Sequence, residues 1–546
     1  MPSIPANYPP DLTSSEGERL VEVVKDWASA HGLSVRPPPT VVSAEADPAG
    51  ILSTAVPVTL FPSPFPQICF DQGRVVQKAY NELYAAISQD EEFLAQIVKD
   101  IGDSDEFIAE LWKVHLKVKE EGYAQHLSLG LFRSDYMVHQ STPEADPQIK
   151  QVEFNTIASS FGGLSYQTSA LHKYLAVNEY TLLEKPITQG QLTLPTNLST
   201  RGLAAGIRQA FLAYGPSVTS HPKCVIFLVQ DGERNVFDQR HLEYEVQAPP
   251  ATIPVFRLPY SQIMQHTRLA EGEGERSGRQ LLYSSPQLPK HTFEVAVVYM
   301  RSGYGPGDYT DASAWDARYH IERSAAIKCP SVLTQVAGTK KVQQVLATPP
   351  DASSSEPPIL GRFISSKDDR NTQRIHHTDD TIAALQRTFT NIYPLDSSPS
   401  GQKARAIALD EEQCRSYVLK PQREGGGNNI YRSAIPGFLK SIPEAHWGAY
   451  ILMELITPPP VHNTILRLGR LEQGGVICEL GIYGTCLWDQ REKQGRGIVM
   501  NEQAGYLLRT KGDKSEEGGV AAGFGCMDSC ALVGRGHAKN SGERHD

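Results

Sequence analysis

The stretch Tyr417-Val418-Leu419-Lys420-Pro421-Gln422-Arg423-Glu424-Gly425-Gly426-Gly427-Asn428-Asn429-Ile430-Tyr431 decides how the rest of the chain is read. Tyr417 to Leu419 form a short apolar run bounded by turn residues, the pattern of a buried strand. The strand ends in Lys420 and Pro421, and a run of glycines, Gly425 to Gly427, follows closely. Asn428 and Asn429 come next, a residue type that tolerates positive φ. Backbone N–H groups approach an anion closely where no Cβ intervenes, and a lysine adds a point charge, so the layout suits a phosphate cradle. It is not a P-loop, because no Gly-Lys-Ser/Thr follows the glycines, and it is not a Rossmann fingerprint. The glycines by themselves read as a flexible hairpin tip. Lys420, Arg423 and Glu424 beside them turn the reading toward nucleotide binding.

Working outward, 546 residues give room for about two to four domains with sizeable cores. Hydrophobic residues make up 40% and charged residues 21%, an ordinary globular composition. A formal net charge of −10 argues against nucleic acid or an anionic membrane as the main partner. No apolar stretch approaches the roughly 20 residues of a membrane helix. The opening MPSIPANYPPDL lacks the basic and apolar regions of a signal peptide, and GERHD matches no retention or prenylation signal. The eight cysteines are scattered; Cys526 and Cys530 are near neighbours, spaced one residue wider than C-x-x-C and without a partner pair. This suggests reduced thiols in a cytoplasmic protein rather than a zinc site.

In chain order, Ser15-x-x-Glu18 can cap a helix bearing Leu20, Val24, Trp27 and Ala28, stopped by Gly32. Two amphipathic helices follow, one with Val76, Tyr80, Leu83 and Ile87. The other carries Ile108, Leu111, His115 and Val118, with His115 read as a core histidine. Residues 129–139 read as a strand on which Arg133 and Asp135 share a face. The next strand turns Glu153 and Asn155 to one face. They are hard oxygen ligands at a spacing suited to Mg²⁺, although a solvated strand face fits the pair alone equally well.

Beyond 193–201 the order is helix (204–214), strand (224–229), the polar run 231–246, strand (253–258) and strand (293–300). That alternation predicts a small parallel sheet. Glu233-Arg234-Asn235 and Arg301-Ser302-Gly303-Tyr304 each follow a strand, where ligands sit in open α/β sheets, though both could be surface turns. Residues 316–346 read helical, with Lys340 and Lys341 late in them. His376-His377-Thr378-Asp379-Asp380 reads as the N-terminus of a helix over 379–392. Residues 449–456 read as a strand that could present backbone groups to an adenine edge, or simply be core. Glu479 interrupts an apolar strand (476–488), and a lone buried carboxylate needs a partner, a metal or a ligand. Arg509 and Lys511 precede a second glycine-rich loop, 518–523.

Together these residues suit ATP-driven activation of a carboxylate. The elements are two glycine-rich loops, lysines for phosphates (Lys340, Lys420, Lys511), oxygen ligands for Mg²⁺ (Glu153, Asn155, Glu424) and arginines for carboxylates (Arg133, Arg301, Arg509). No Ser–His–Asp or Cys–His arrangement and no protein-kinase signature stands out.

The chain resembles the eukaryotic glutathione synthetases. The resemblance rests on RSDYM (133–137), EFNTIASSFGGL (153–164), ERNVFDQR (233–240), RSGY (301–304), AGTKKVQQ (337–344), LKPQREGGGNNIY (419–431), ILMELI (451–456), ELGIYG (479–484) and LLRTK…GGVAAG (507–523). They run in family order over roughly 15–530. The resemblance implies an α/β, ATP-grasp fold with an inserted parallel-sheet substrate-binding domain and a glycine-rich lid. It divides the chain into 1–215 (N-terminal helical and sheet part of the body), 216–345 (insert), 346–475 (lid region), 476–530 (C-terminal part of the body) and 531–546 (disordered tail). It implies a cytoplasmic homodimer that joins γ-glutamylcysteine to glycine with ATP and Mg²⁺ through an acyl phosphate.

By motif, Glu153, Asn155 and Glu424 would hold Mg²⁺. ATP would be held by Glu153, Lys340, the run Lys420, Pro421, Gln422, Arg423, Glu424, Gly425, Gly426, Gly427, Asn428, Asn429, then Tyr431, Met453, Glu454, Leu455, Ile456, Glu479, Lys511 and Glu517. The peptide substrates would meet Arg133, Ile157, Ala158, Ser159, Ser160, Glu233, Arg234, Asn235, Gln239, Arg301, Ser302, Gly303, Tyr304, Arg509, Val520 and Ala521. Arg133, Arg509, Lys340 and Lys420 would be catalytic. Three departures stand out: RSGY for the usual RDGY, a longer 485–498, and the tail past about 530. The small residues at 520–522 fit glycine as acceptor better than a bulkier amino acid such as β-alanine, the alternative. A non-catalytic binding protein on the same scaffold would be expected to have lost a metal ligand.

Overall fold

The computed structural model describes residues 7–102, 104–142, 144–250, 252–271, 278–286, 289–348, 359–364, 379–492, 497–515, 520 and 525–534. Helix α1 (Ser14–His31) is capped two residues earlier than Ser15-x-x-Glu18 predicts. Thr13 is the N-cap, and its N–H donates to the Glu16 carboxylate at 2.7 Å. Thr-x-x-Glu offers the same reciprocal bonding and lets one more half-turn form. Gly32 ends the helix at φ +64°. Helices α2 (Gln67–Gln89) and α3 (Glu106–Glu121) lie where the apolar spacing predicts them. His115 on α3 is 2% exposed, hydrogen-bonds the Tyr123 hydroxyl at 2.6 Å, and is a core histidine.

The site is organised by adjacent strands of a 13-stranded mixed sheet. Strand β1 (Leu127–His139) pairs antiparallel with β2 (Gln148–Asn155) on one side. On its other side it pairs antiparallel with a long strand, Arg470–Asp489, which pairs in turn with Ile498–Gly512. The expected parallel strands are present as β3 (Lys223–Val229), β4 (Val255–Pro259) and β5 (Thr292–Met300), with β6 (Ile327–Cys329) added. They pair in the order β4–β3–β5–β6. They do not form a sheet of their own: β6 pairs with β1 through Lys328 and Ser128, so the parallel strands extend the main sheet.

Three local readings are corrected. The polar run after β3 contains a helix, Val236–Gln247, whose buried positions include Asp238, Gln239 and Glu243; polar groups on the inward face hide its periodicity. The helix predicted over 316–346 is broken into Ala312–Glu322, β6, Val332–Ala337 and Lys340–Ala347. Pro330 lacks an N–H, and the Ser331 hydroxyl accepts from Thr334 N at 3.3 Å to start the next segment. Lys340 therefore opens a short helix rather than closing a long one. The helix over 379–392 stops at Thr388, because Ile392–Pro394 is a strand. Residues 376–378 lie outside the described residues, as does the tail from 535.

Strands β7 (Ile392–Pro394), β8 (Tyr417–Pro421), β9 (Ile430–Tyr431) and β10 (Tyr450–Glu454) form a separate 4-stranded antiparallel sheet in the order β7–β10–β8–β9. The opening stretch of the sequence analysis is thus a β8–loop–β9 hairpin. Side-chain alternation sends Val418, Ile451 and Met453 to one core and Leu419 and Leu452 to another. The strands at 461–467, 470–489 and 498–512 are named β11, β12 and β13 below. Among the described residues no helix is long and apolar enough to cross a membrane.

Candidate active site

Strand register places most of the charged groups. Arg133 and Asp135, two apart on β1, lie opposite Asn155 and Glu153 of β2. Across β1 the same two residues face Tyr483 and Gly481 of β12, and Glu479 of β12 faces Arg509 of β13. Arg133 grips Asp135 through Nε (2.6 Å) and Nη2 (2.8 Å), and Arg509 Nη2 donates to Asp135 Oδ2 at 3.1 Å and also to Glu479. The partner that the Glu479 carboxylate needs is thus Arg509. Arg133 Nη1 and the Tyr483 hydroxyl both donate to Ser160 O, at 3.1 and 2.6 Å. The turn they hold is strained: Ala158 and Phe161 adopt positive φ of 50° and 73°. Asp238, at the start of Val236–Gln247, accepts from the N–H groups of Phe161 and Gly163 at 2.7 and 2.8 Å.

Against this wall the β8–β9 hairpin and the Lys340 helix bring their own charges. Lys340 Nζ lies 3.1 Å from Glu153 and 3.0 Å from Glu424, bridging a carboxylate of the large sheet and one of the hairpin loop. Lys420 Nζ donates to Val152 O at 2.9 Å. Burial pushes the Glu153 carboxyl up, but Lys340, Lys420, Arg509 and Arg133 outweigh it and hold Glu153 well below the usual range. Glu424 lacks so many cations; burial, with Glu153 adding repulsion against the pull of Lys340, raises it to about 7. Burial also pushes Lys420 down to about 8, with Lys340 repelling it. Lys340 stays charged, because its two carboxylate neighbours overcome its burial.

Arg133, Glu153, Lys420, Glu424, Glu479 and Arg509 line one cavity of about 530 Å³, with Lys340 and Asp135 behind its wall. Of the residues singled out from sequence, it brings together Arg133, Glu153, Asn155, Ile157, Ala158, Ser160, Glu233, Arg234, Asn235, Arg301 and Tyr304. It adds Lys420, Glu424, Gly425, Gly426, Asn429, Tyr431, Met453 to Ile456, Glu479, Arg509, Lys511 and Val520. Part of the wall is apolar, with Val418, Met453, Leu455, Ile456 and Ile477. The N–H groups of Glu454 and Leu455 donate to Asn391 O and Ser416 O, so those two are spent within the protein.

Several singled-out residues stand behind the cavity instead. Gln422 braces the hairpin, accepting from Lys341 N at 2.9 Å and donating to Ala449 O at 3.0 Å. Arg423 pairs with Asp105 at the start of α3. Gln239 donates to Glu233 and accepts from Arg257 Nη2 at 2.7 Å, a bracket that the sequence reading missed. Ser159, Ser302, Gly303, Lys340, Pro421, Gly427 and Asn428 are also outside the lining. Glu517 and Ala521 lie outside the described residues.

The RSGY turn has a compensation that no motif revealed. Ser302 is fully buried with its hydroxyl unpaired, and the acid comes from Asp308. The Asp308 carboxylate accepts from Gly303 N (2.9 Å), Tyr304 N (3.3 Å) and Gln230 Nε2 (3.0 Å). Arg301 donates through Nη2 to Ser160 Oγ at 2.6 Å, while its Nε and Nη1 are buried without a hydrogen-bond partner. Arg301 lines the cavity, and a guanidinium there suits a carboxylate ligand. All eight cysteines are buried and outside any disulfide, and among the described residues no group of three or more His, Cys, Asp or Glu could hold a metal.

Residues 14–532 match the family model of the eukaryotic glutathione synthase ATP-binding domain. The chain belongs to the eukaryotic glutathione synthase family. Within that family it is 39% identical to the glutathione synthetase large chain of Schizosaccharomyces pombe, covering 95% of this chain and 98% of that one. It is 38% identical to the glutathione synthetase of Homo sapiens, covering 94% and 96%. A glutathione synthetase-like effector from Globodera pallida shares the fold, with a TM-score of 0.69 at 21% identity over 98% of this chain and 100% of that one.

Proposed function

We propose that the chain is an ATP-dependent ligase that joins γ-glutamylcysteine to glycine, yielding glutathione, ADP and phosphate. The observation that carries this reading is the single cavity in which a glycine-rich hairpin, Lys420 and a Lys340-bridged carboxylate pair meet the guanidiniums of Arg133, Arg301 and Arg509. Phosphate cations and carboxylate cations in one partly apolar chamber are what carboxylate activation by ATP requires.

In this reading the apolar lining from β8 and β10 takes the adenine, and the Gly425–Gly427 backbone with Lys420, Lys340 and Lys511 takes the phosphates. Glu153, Asn155 and Glu424 would hold Mg²⁺. The donor set fits a hard cation: Glu153 and Glu424 already share the Lys340 ammonium, and the Asn155 amide nitrogen is spent on Asp135, leaving its oxygen. When bound, Mg²⁺ would neutralise phosphate oxygens. Arg301 and Arg133 orient the dipeptide, with Glu233, Asn235 and Tyr304 around it. The cysteinyl carboxylate attacks the γ-phosphoryl group, breaking its bond to the bridging oxygen and releasing ADP, to give an acyl phosphate. The glycine amine then attacks the acyl carbon, and phosphate leaves. Lys340 and Lys420 lower the charge on the moving phosphoryl group, and Arg509 steadies the carboxylate side. Residues 346–475 would act as the lid of an ATP-grasp body, excluding water from the acyl phosphate. The family resemblance suggests a cytoplasmic homodimer.

The test is isotopic. With ¹⁸O in the cysteinyl carboxylate, the released phosphate should carry one ¹⁸O per turnover. Phosphate free of label would rule out carboxylate activation.

A further inference from the structure

We propose that Asp135 is a positioning residue of this site, holding the two guanidiniums and the Asn155 amide in working orientation. The proposal rests on the reading above, in which Arg133 and Arg509 meet the dipeptide and Asn155 is a metal ligand. Asp135 is 0% exposed and does not line the cavity. Its carboxylate nevertheless accepts from three side chains that do. Oδ1 takes Arg133 Nε at 2.6 Å. Oδ2 takes Arg133 Nη2 at 2.8 Å, Asn155 Nδ2 at 3.0 Å and Arg509 Nη2 at 3.1 Å.

A sealed carboxylate persists only where charge and hydrogen bonds offset its desolvation. Here the offsetting groups come from three strands, β1, β2 and β13, so the ion also dictates where they stand. The two-point grip fixes the plane of the Arg133 guanidinium. For Arg509 it supplies a shared anion beside a second cation. For Asn155 it decides which amide atom faces outward. Nδ2 donates to Asp135 Oδ2 and, at 3.2 Å, to Arg133 O, so both amide hydrogens are spent on the wall and Oδ1 is left for a cation.

An independent feature supports the arrangement. β12 runs between β1 and β13, so Arg509 must reach Asp135 across an intervening strand. The residue of β12 opposite Asp135 is Gly481. A Cβ there would lie 2.7 Å from Arg133 Cδ and 2.8 Å from Asp135 Oδ1. Glycine leaves the room that the Arg133–Asp135 grip occupies.

The test uses the full chain carrying Asp135→Asn, which keeps the shape and removes the charge. Mn²⁺ affinity in the presence of a non-hydrolysable ATP analogue is read by electron paramagnetic resonance, beside the KM for γ-glutamylcysteine, the KM for ATP and the thermal midpoint. Mn²⁺ affinity should fall and the dipeptide KM rise, each by about 10-fold or more, with the KM for ATP within about twofold. Asp135→Glu should recover part of both. A purely structural role would instead lower the thermal midpoint and weaken all ligands together, and that result overturns the proposal. Mn²⁺ affinity and dipeptide KM both within about twofold of the parent, against the size expected for an outer-sphere partner, overturn it as well. If Asp135→Asn does not fold, the double variant Asp135→Asn/Arg509→Gln removes one of the two cations left uncompensated, and parental Mn²⁺ affinity there overturns the proposal. Asn155→Ala separates the two readings: parental Mn²⁺ binding in that variant defeats the metal assignment, and Asp135 is then judged on dipeptide KM alone.

Discussion

The cavity is bounded by two unlike regions. On the large-sheet side, Arg133, Asp135 and Asn155 are at most 6% exposed and bonded to one another. On the hairpin side, Gly425, Gly426 and Gly427 are exposed, with φ of 97°, 71° and 75°, and a Cβ at Gly426 or Gly427 would meet nothing within 4 Å. One side is finished before any ligand arrives; the other offers backbone. In the proposed reading, the difference teaches that carboxylate handling would be set in folding, where strand register enforces it, while phosphate handling would be left to an element that its ligand completes. Lys340, touching a carboxylate from each region, joins them.

The largest effect is expected where the regions meet. Lys340→Met should lower the rate of phosphate formation by about 100-fold or more, the scale of losing one preorganised electrostatic group. Steady-state phosphate release measures it, and a loss under threefold would mean that the bridge is incidental.

Glycine substitutions on the two sides should then differ in kind. Gly426→Ala/Gly427→Ala keeps free space but pays for left-handed backbone, roughly 1–2 kcal/mol per residue. Because the exposed loop can relax when empty, the cost falls on the ATP-bound form: the KM for ATP should rise about tenfold or more, since about 1.4 kcal/mol is a factor of ten, with little change in the thermal midpoint of the free protein. Gly481→Ala meets side-chain atoms at 2.7 Å and should instead destabilise the fold by about 1–3 kcal/mol. Parallel calorimetry and kinetics check both, and equal destabilisation would erase the contrast.

The smallest effect concerns a buried charge beneath β13. Asp528 accepts from Thr59 Oγ1, Ser63 Oγ and Thr510 Oγ1 at 2.7, 2.6 and 2.7 Å, yet burial raises its carboxyl to about 6. The folded state therefore binds this proton more tightly than the unfolded chain does. Its contribution to stability is full below the ordinary carboxyl range and is lost as pH rises to about 6. Urea midpoints should fall across that window in the parent and fall less in Asp528→Asn. Identical slopes would remove Asp528 from the account.

Local patterns made much of this legible. The Lys420–glycine hairpin, the shared face of Arg133 and Asp135, and the Glu153/Asn155 pair all follow from period-2 alternation and turn chemistry. The helix bearing Asp238 and Gln239 was not legible, because its inward face is polar. Lys340 was misplaced because the strand Ile327–Cys329 and the Pro330 break lie inside a run with helical composition. Asp308 and Asp135 were missed as organisers for a different reason. The Asp135–Arg509 contact joins residues 374 apart, and only pairing across β12 creates it. No local period encodes such a contact.

The most direct test of the central claim is phosphate release from ATP and Mg²⁺ with γ-glutamylcysteine, with and without glycine, beside mass detection of the peptide product. The account predicts glycine-dependent phosphate matched one for one by tripeptide, with β-alanine a poor substitute. ATP binding with no acceptor-dependent phosphate, for glycine or any other amino acid, would contradict it.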